Sequence, residues 1–185
     1  MSELVPPPEG IVTERLRLRG LRPSDAALLT LYASDARVAK TTTDIPHPFP
    51  PGYAEAYVER VTRPGSRELA WAIDTGAADE GNGLIGRIAL RMLEGGEAEL
   101  GYWIAPAFWG AGYATESVKA VAAYADARGI PALLAQVLQD NERAARALTR
   151  GGFGYLGAGE TYSIGRGAMV PTFRYRREPQ GGATR

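Results

Sequence analysis

Between positions 12 and 19 apolar and charged residues alternate, with Leu16 and Leu18 against Arg15, Arg17 and Arg19. A period of two predicts a half-buried strand whose arginines form a solvated face, open to acidic partners. Pro23, Ser24 and Asp25 then open a helix running to about Ser34, with Ser24 or Asp25 as its cap. Its apolar face is Leu28, Leu31 and Tyr32. Residues 41–52 read as a proline-rich loop, and a second helix follows near 53–63. Strands are predicted at 68–74, 84–92 and 97–104, with a hairpin signal at Asn82-Gly83 between the first two. A longer helix at about 114–128 buries Val118, Val121, Ala122 and Ala125, spaced i, i+3, i+4, i+7, and Gly129 ends it. An apolar strand at 132–138 leads to a helix capped by Asp140 or Asn141 and stopped by Gly151-Gly152. Strands near 153–162 and 168–177 complete the pattern.

The order β-α-α-β-β-β-α-β-α-β-β combines antiparallel hairpins with one strand-helix-strand crossover. That predicts an α/β (α+β) fold, a mixed, mostly antiparallel sheet with helices on both faces. No linker or repeat interrupts it, so residues 1–185 read as a single domain, with a loose leader at 1–10 and a loose tail at 178–185.

The strongest local signal for chemistry runs from Trp103 to Glu116. A strand ends, a glycine-containing loop turns, and a helix begins. Gly110, Gly112 and Ala114 are small enough to let a ligand approach the backbone. The first amides of the helix lack intrahelical partners, and with the helix dipole they favour an anion such as a pyrophosphate. A plain glycine turn gives the same spacing. Gly81, Gly83 and Gly86 match a dinucleotide pattern but precede a strand, so they read as a hairpin turn.

Composition narrows the chemistry. The chain has no Cys and one His, His47, which removes disulfides, thiolate nucleophiles and cysteine zinc sites. No metal is expected. Lys plus Arg and Asp plus Glu both number 21, a zero formal charge that argues against general nucleic-acid binding. No apolar run approaches the ~20 residues of a membrane span, and no signal core opens the chain, so a cytoplasmic protein is expected.

The runs Ala98-Glu-Leu-Gly-Tyr-Trp-Ile and Trp109-Gly-Ala-Gly-Tyr-Ala-Thr-Glu116 resemble the GNAT N-acetyltransferase superfamily, more narrowly its RimJ/RimL branch. Thr13 to Arg19 match that branch's opening strand, Asn141 its helix-start Asn, and Gly152-Phe153 its closing pair. The likeness spans residues 12–176. It implies acetyl-CoA as co-substrate, with the family's phosphate signature on Trp109, Gly112 and Ala114. Amides from Ala111 through Gly112, Tyr113 and Ala114 to Thr115 would hold the pyrophosphate, beside Gly110. It also implies a splay between the strand of Ile104 and that of Val137. The pantetheine arm would lie in that gap, near Trp103 and Ile104, with Asn141 touching it. Two family positions that often protonate the leaving thiolate carry Ala144 and Leu148 here, which leaves the general acid unassigned. Many relatives form dimers, so a homodimer stays open.

Acetyl transfer needs a neutral amine and a route for its proton. Glu99, on the strand beside the expected cleft, is the first candidate base and Glu97 the second by alternation; both also read as plain strand carboxylates. The acceptor would enter past loop 41–52, where His47, Phe49, Tyr53 and Tyr57 stand, with Trp71 and Tyr102 as further lining. An α-amine, with a pKa near ~7.7–8, is partly neutral at pH 7, whereas a lysine amine near ~10.4 is not. One carboxylate and no recognisable acid therefore suit an α-amine, and the resemblance points to protein N-termini. A small-molecule acetylase is the rival, and a non-catalytic acetyl-CoA sensor or scaffold is the alternative of another class.

Overall fold

The computed structural model describes residues 6–7, 9–76 and 83–180. Eight strands form one sheet: β1 (Ile11–Val12), β2 (Arg17–Gly20), β3 (Glu68–Asp74), β4 (Leu84–Met92), β5 (Ala98–Ile104), β6 (Leu133–Leu138), β7 (Gly154–Ser163) and β8 (Ala168–Arg177). Their spatial order is β1-β2-β3-β4-β5-β6-β8-β7. Every pairing is antiparallel except β5 with β6. Among the described residues the α-helices are α1 (Ala26–Ala33), α2 (Ala36–Thr41), α3 (Tyr53–Thr62), α4 (Tyr113–Ala127) and α5 (Glu142–Arg150). The mixed, mostly antiparallel sheet expected from the pattern is therefore present. The hairpin expected at Asn82-Gly83 lies partly outside the described residues. Gly86 sits inside β4, where an added Cβ would come within 2.2 Å of the Trp103 carbonyl oxygen.

Alternation along the central strands splits the core between two faces. Leu69, Trp71 and Ile73 of β3 join Ile88 and Leu90 of β4 on the face covered by α4 and α5. Ala70, Ala72 and Ala89 face α1, α2 and α3. On α4 the predicted stripe of Val118, Val121, Ala122 and Ala125 is buried. Each buried valine contributes about 1.5–3 kcal/mol. Trp71 packs edge-on against Tyr124 of α4 at a centroid distance of 5.3 Å.

Three local expectations change. The first predicted strand breaks in two, because Thr13 Oγ1 accepts from the Leu16 amide and turns the chain between β1 and β2. The helix expected from residue 23 begins with a 3-10 turn at Pro23–Asp25, which rotates the buried stripe to Ala26, Leu29 and Ala33. Leu31, expected on the apolar face, is 63% exposed. Helix α2 was not expected; the Asp35 carboxylate caps it by accepting from the Arg37 amide at 2.9 Å.

The arginines of the first strand are not a uniform solvated face. Arg19 is buried, with Nη1 and Nη2 donating to Asp25 at 2.9 and 2.8 Å and Nε donating to Asp74 at 2.8 Å. Asp25 is fully buried and also accepts from the Arg22 amide at 2.7 Å. The cluster fixes the turn into α1 to β2 and β3. Removing one partner of a buried pair strands charge in low dielectric, which costs about 3–5 kcal/mol. Asp25→Ala is expected to lower the unfolding free energy by about that amount in urea titrations, and a loss below 1 kcal/mol would contradict this role for the cluster.

Candidate active site

The site begins where the sheet comes apart. β5 and β6 are registered at only two positions, Ala98 with Leu133 and Glu99 with Leu134. Beyond Glu99, β5 continues on β4 alone and β6 on β8 alone. The wedge between them is a cleft of about 370 Å³, lined by residues 100–104 of β5, 135–138 of β6, the start of α4 and one face of α5.

At the wide end the chain leaves β5 through a 3-10 turn at Pro106–Phe108 and enters α4. The residue before the helix, Gly112, has φ 83°, and no side chain caps the helix. A residue with a Cβ is strained there by about 1–2 kcal/mol, so glycine sets the loop. The leading amides of α4 stay available to a ligand, with roughly half a positive charge from the helix dipole behind them. Arg15 holds the loop from outside. Its Nη1 donates to the Ala111 carbonyl at 2.7 Å, its guanidinium lies 4.7 Å from the Tyr113 ring centroid, and it pairs with Glu116 at 2.7 Å. Thr13 Oγ1 also donates to Glu116 at 2.6 Å.

Helix α5 supplies positive charge that the sequence reading overlooked. Arg143, Arg146 and Arg150 all line the cleft. Their i, i+3, i+7 spacing, which was legible, puts them on one helical face. The Arg143 guanidinium lies 3.9 Å from the Trp109 ring centroid, a contact contributing about 0.5–1 kcal/mol at an exposed site. Trp109 Nε1 in turn donates to the Ile104 carbonyl at 2.7 Å. From the opposite wall, the Tyr102 hydroxyl donates to the Ala144 carbonyl at 3.1 Å. Burial pushes the Tyr102 phenol above its ordinary pKa.

A second cleft of about 470 Å³ lies on the other side of β5. The two share Thr43, Asp44, Leu100, Gly101, Trp103 and Gln136. An added Cβ on Gly101 would meet no heavy atom within 4 Å, so no side chain from this position separates them. Phe49, Tyr53 and Tyr57 line the second cleft with Glu99 and the buried Arg87. Arg87 donates to the Tyr57 hydroxyl at 2.8 Å and to Asp44 at 2.9 Å, while Tyr57 donates to Glu68 at 2.7 Å. Burial raises the Tyr57 phenol. For Arg87, burial opposes the charge, but Tyr57, Asp44 and Glu68 outweigh it and hold the guanidinium above its ordinary value. Glu99 pairs with Arg91 and accepts from Gln136 Nε2 at 3.4 Å.

A split sheet with a glycine-led helix at its mouth can be compared with known proteins. Residues 15–154 match the model of the acetyltransferase (GNAT) domain. The chain belongs to that family. An N-acetyltransferase of Bacillus subtilis strain 168, YoaA, itself uncharacterised, is 34% identical over 110 residues, 59% of this chain and 62% of that protein. The match thus spans less than two thirds of that relative's length. In fold, the GNAT domain resembles the microcin C7 self-immunity acetyltransferase MccE, solved with acetyl-CoA and AMP. The TM-score is 0.79 at 17% identity, covering 93% of this chain and 97% of that one. It also resembles RimL, the ribosomal L7/L12 α-N-protein acetyltransferase, solved with coenzyme A. There the TM-score is 0.77 at 19% identity, covering 90% of this chain and 96% of that one. The latter is the branch whose motifs the sequence resembles.

Within this GNAT domain the expected residues separate into groups. Trp103, Ile104, Trp109, Gly110, Gly112, Tyr113, Ala114, Thr115 and Asn141 all line the first cleft. Two of their expected contacts are already taken. On the backbone near Trp103 and Ile104, expected to meet pantetheine, the Ile104 carbonyl already accepts from Trp109. Asn141 caps α5 by accepting from the Ala144 amide at 3.2 Å and donates to the Thr41 carbonyl at 3.1 Å. Tyr102 faces the first cleft rather than the acceptor side. Four residues stand outside both clefts. Ala111, expected among the pyrophosphate-binding amides, has its carbonyl held by Arg15 instead. His47 is exposed, Trp71 is buried against α4, and Glu97 precedes β5 and pairs with Arg176 at 2.9 Å. No helix among the described residues is long and apolar enough to cross a membrane.

The Glu116 clamp gives a pH test. Burial alone would raise its carboxyl, but hydrogen bonds from Thr13 and Arg15 outweigh that and hold it below its ordinary value. A depressed folded-state pKa adds stability above the unfolded value, about 4.3, which is lost as pH falls through the folded value. Glu116→Gln is expected to be less stable than wild type at pH 6, with the difference shrinking toward pH 3 in denaturant titrations. A gap that is constant across this range would contradict the clamp.

Proposed function

We propose that this protein is an acetyl-CoA-dependent N-acetyltransferase whose acceptor is the N-terminal α-amine of a protein or peptide. The observation that carries the reading is the meeting of two clefts at Leu100 and Gly101. One has an anion-seeking helix start and three arginines; the other has a carboxylate and an aromatic wall.

In this reading the amides of residues 112–115 and the arginines of α5 bind the phosphate-rich end of acetyl-CoA, and the gap between β5 and β6 accepts its pantetheine arm. Bound acetyl-CoA supplies the thioester to be attacked. A backbone amide of β5 at the splay stabilises charge developing on the carbonyl oxygen. Glu99 accepts the amine proton directly or through one water, with Arg91 and Gln136 fixing its carboxylate. The aromatic residues Phe49, Tyr53 and Tyr57 orient the acceptor. Glu97, bound to Arg176 away from both clefts, takes no part.

A small-amine acceptor is the second reading, favoured by the way the acceptor cleft is closed at one side. The β7–β8 turn is tied to the segment after α2, with the Ile164 amide donating to the Thr43 carbonyl at 2.9 Å and Ser163 Oγ to the Thr42 carbonyl at 3.3 Å.

Mass spectrometry of products from acetyl-CoA and a mixed peptide and amine library separates the two. Acetylated peptide N-termini are expected, with lysine side chains slower at pH 7. Equal rates on both would sink the α-amine reading. Glu99→Gln is expected to lower kcat by about 10²–10⁴ with unchanged affinity for acetyl-CoA, and retained kcat would remove Glu99 as base.

A further inference from the structure

The sequence leaves this enzyme without a proton donor for the leaving thiolate, because Ala144 and Leu148 hold the two positions on α5 that supply one in relatives. The fold brings another hydroxyl to the same place. Tyr102 rises from β5, crosses the wedge and donates to the carbonyl of Ala144 itself, at 3.1 Å. We propose that Tyr102 is the missing general acid, supplying from the sheet wall the proton that relatives supply from the helix wall. The proposal rests on the acetyltransferase reading.

The other residues lining the cleft narrow the choice. No Ser, Cys, His or Lys is among them. Threonine hydroxyls are weaker acids than a phenol. The indole N–H of Trp109 and the carboxamide N–H of Asn141 are far weaker acids than a phenol. A guanidinium does not serve as a proton donor of this kind, which sets aside Arg143, Arg146 and Arg150. Asp44 is paired with Arg87, and the second phenol, Tyr113, lies at the glycine loop beneath Arg15. Tyr102 stands two residues past Leu100, where the opening begins.

The step balances as follows. The amine nitrogen forms the new C–N bond while the C–S bond breaks and its electron pair goes to sulfur. The Tyr102 hydroxyl gives its proton to that sulfur. The phenolate regains a proton from water, which receives the amine proton through Glu99. Burial keeps the phenol protonated across the working range, and the same burial makes a thiolate more basic.

Tyr102→Phe tests this. The expected result is a kcat lower by about 10²-fold, the lower end of general-acid effects, with KM for acetyl-CoA within about threefold. Thiolate absorbance gives a readout apart from turnover. A donor that favours bound CoA as its thiolate makes the thiol titrate about one pH unit higher in Tyr102→Phe than in wild type. Adding Ala144→Ser to that variant is expected to restore part of kcat. A fluorinated tyrosine of lower pKa at Tyr102 should bring a basic limb of the kcat profile down into the working range, where wild type shows none from this group. Wild-type kcat in a folded Tyr102→Phe protein, or a fluorinated variant whose kcat profile matches wild type, overturns the proposal. A wild-type protein that binds acetyl-CoA but acetylates nothing overturns the underlying reading instead.

Discussion

Parallel pairing between β5 and β6 stops after two residues, and the working geometry of this protein follows from that interruption. A sheet hydrogen-bonded along its whole length would have no interior gap, and its central strands would present only side chains. Here the backbone of β5 beyond Glu99 loses its neighbour on one side while β4 still holds it on the other. The strand therefore stays paired on one side and presents backbone polar groups to a cleft on the other. Unpaired buried backbone is costly, about 1–3 kcal/mol per group, so such a gap persists only where surrounding contacts hold it open and a ligand or water satisfies it. The two apolar layers provide that support. The α4 stripe and the Trp71–Tyr124 contact fix one face, and α1 to α3 fix the other.

The gap also organises charge. At one end, Gly112 and Arg15 hold a helix start with its amides outward, and α5 adds three guanidinium groups. At the other, the buried Arg87 gathers Tyr57, Glu68 and the exposed Asp44 along the second cleft. In the proposed reading, polyanion at the mouth and amine at the far side are drawn to opposite ends of one passage, with Leu100 and Gly101 between them. Overall neutrality hides this arrangement, because the charges are separated in space and not along the chain.

Most of the fold was legible because periodicity reports burial. The ranges of β3 and β4 and the α4 stripe follow directly from period two and period 3.6. Expectation failed where a polar side chain redirected the backbone. Thr13 split the first strand, the turn at Pro23–Asp25 shifted the phase of α1, and Asp35 capped a helix inside what read as the approach to a loop. Arg19 shows the same limit, since alternation assigned it to solvent and its burial is made tolerable by Asp25 and the distant Asp74. In the site, the glycine loop was visible as a local motif, and the α5 arginines were visible as a spacing that went unread. The roles of Tyr102 and Trp109 were not visible at all, because each depends on a carbonyl that the fold alone brings near.

A crystal structure with acetyl-CoA bound measures the central claim directly. The account predicts the diphosphate on the amides of residues 112–115, the pantetheine arm between β5 and β6, and the acetyl group beside Leu100 and Gly101. Acetyl-CoA bound elsewhere, or a β5–β6 gap that closes when the ligand is present, would contradict it.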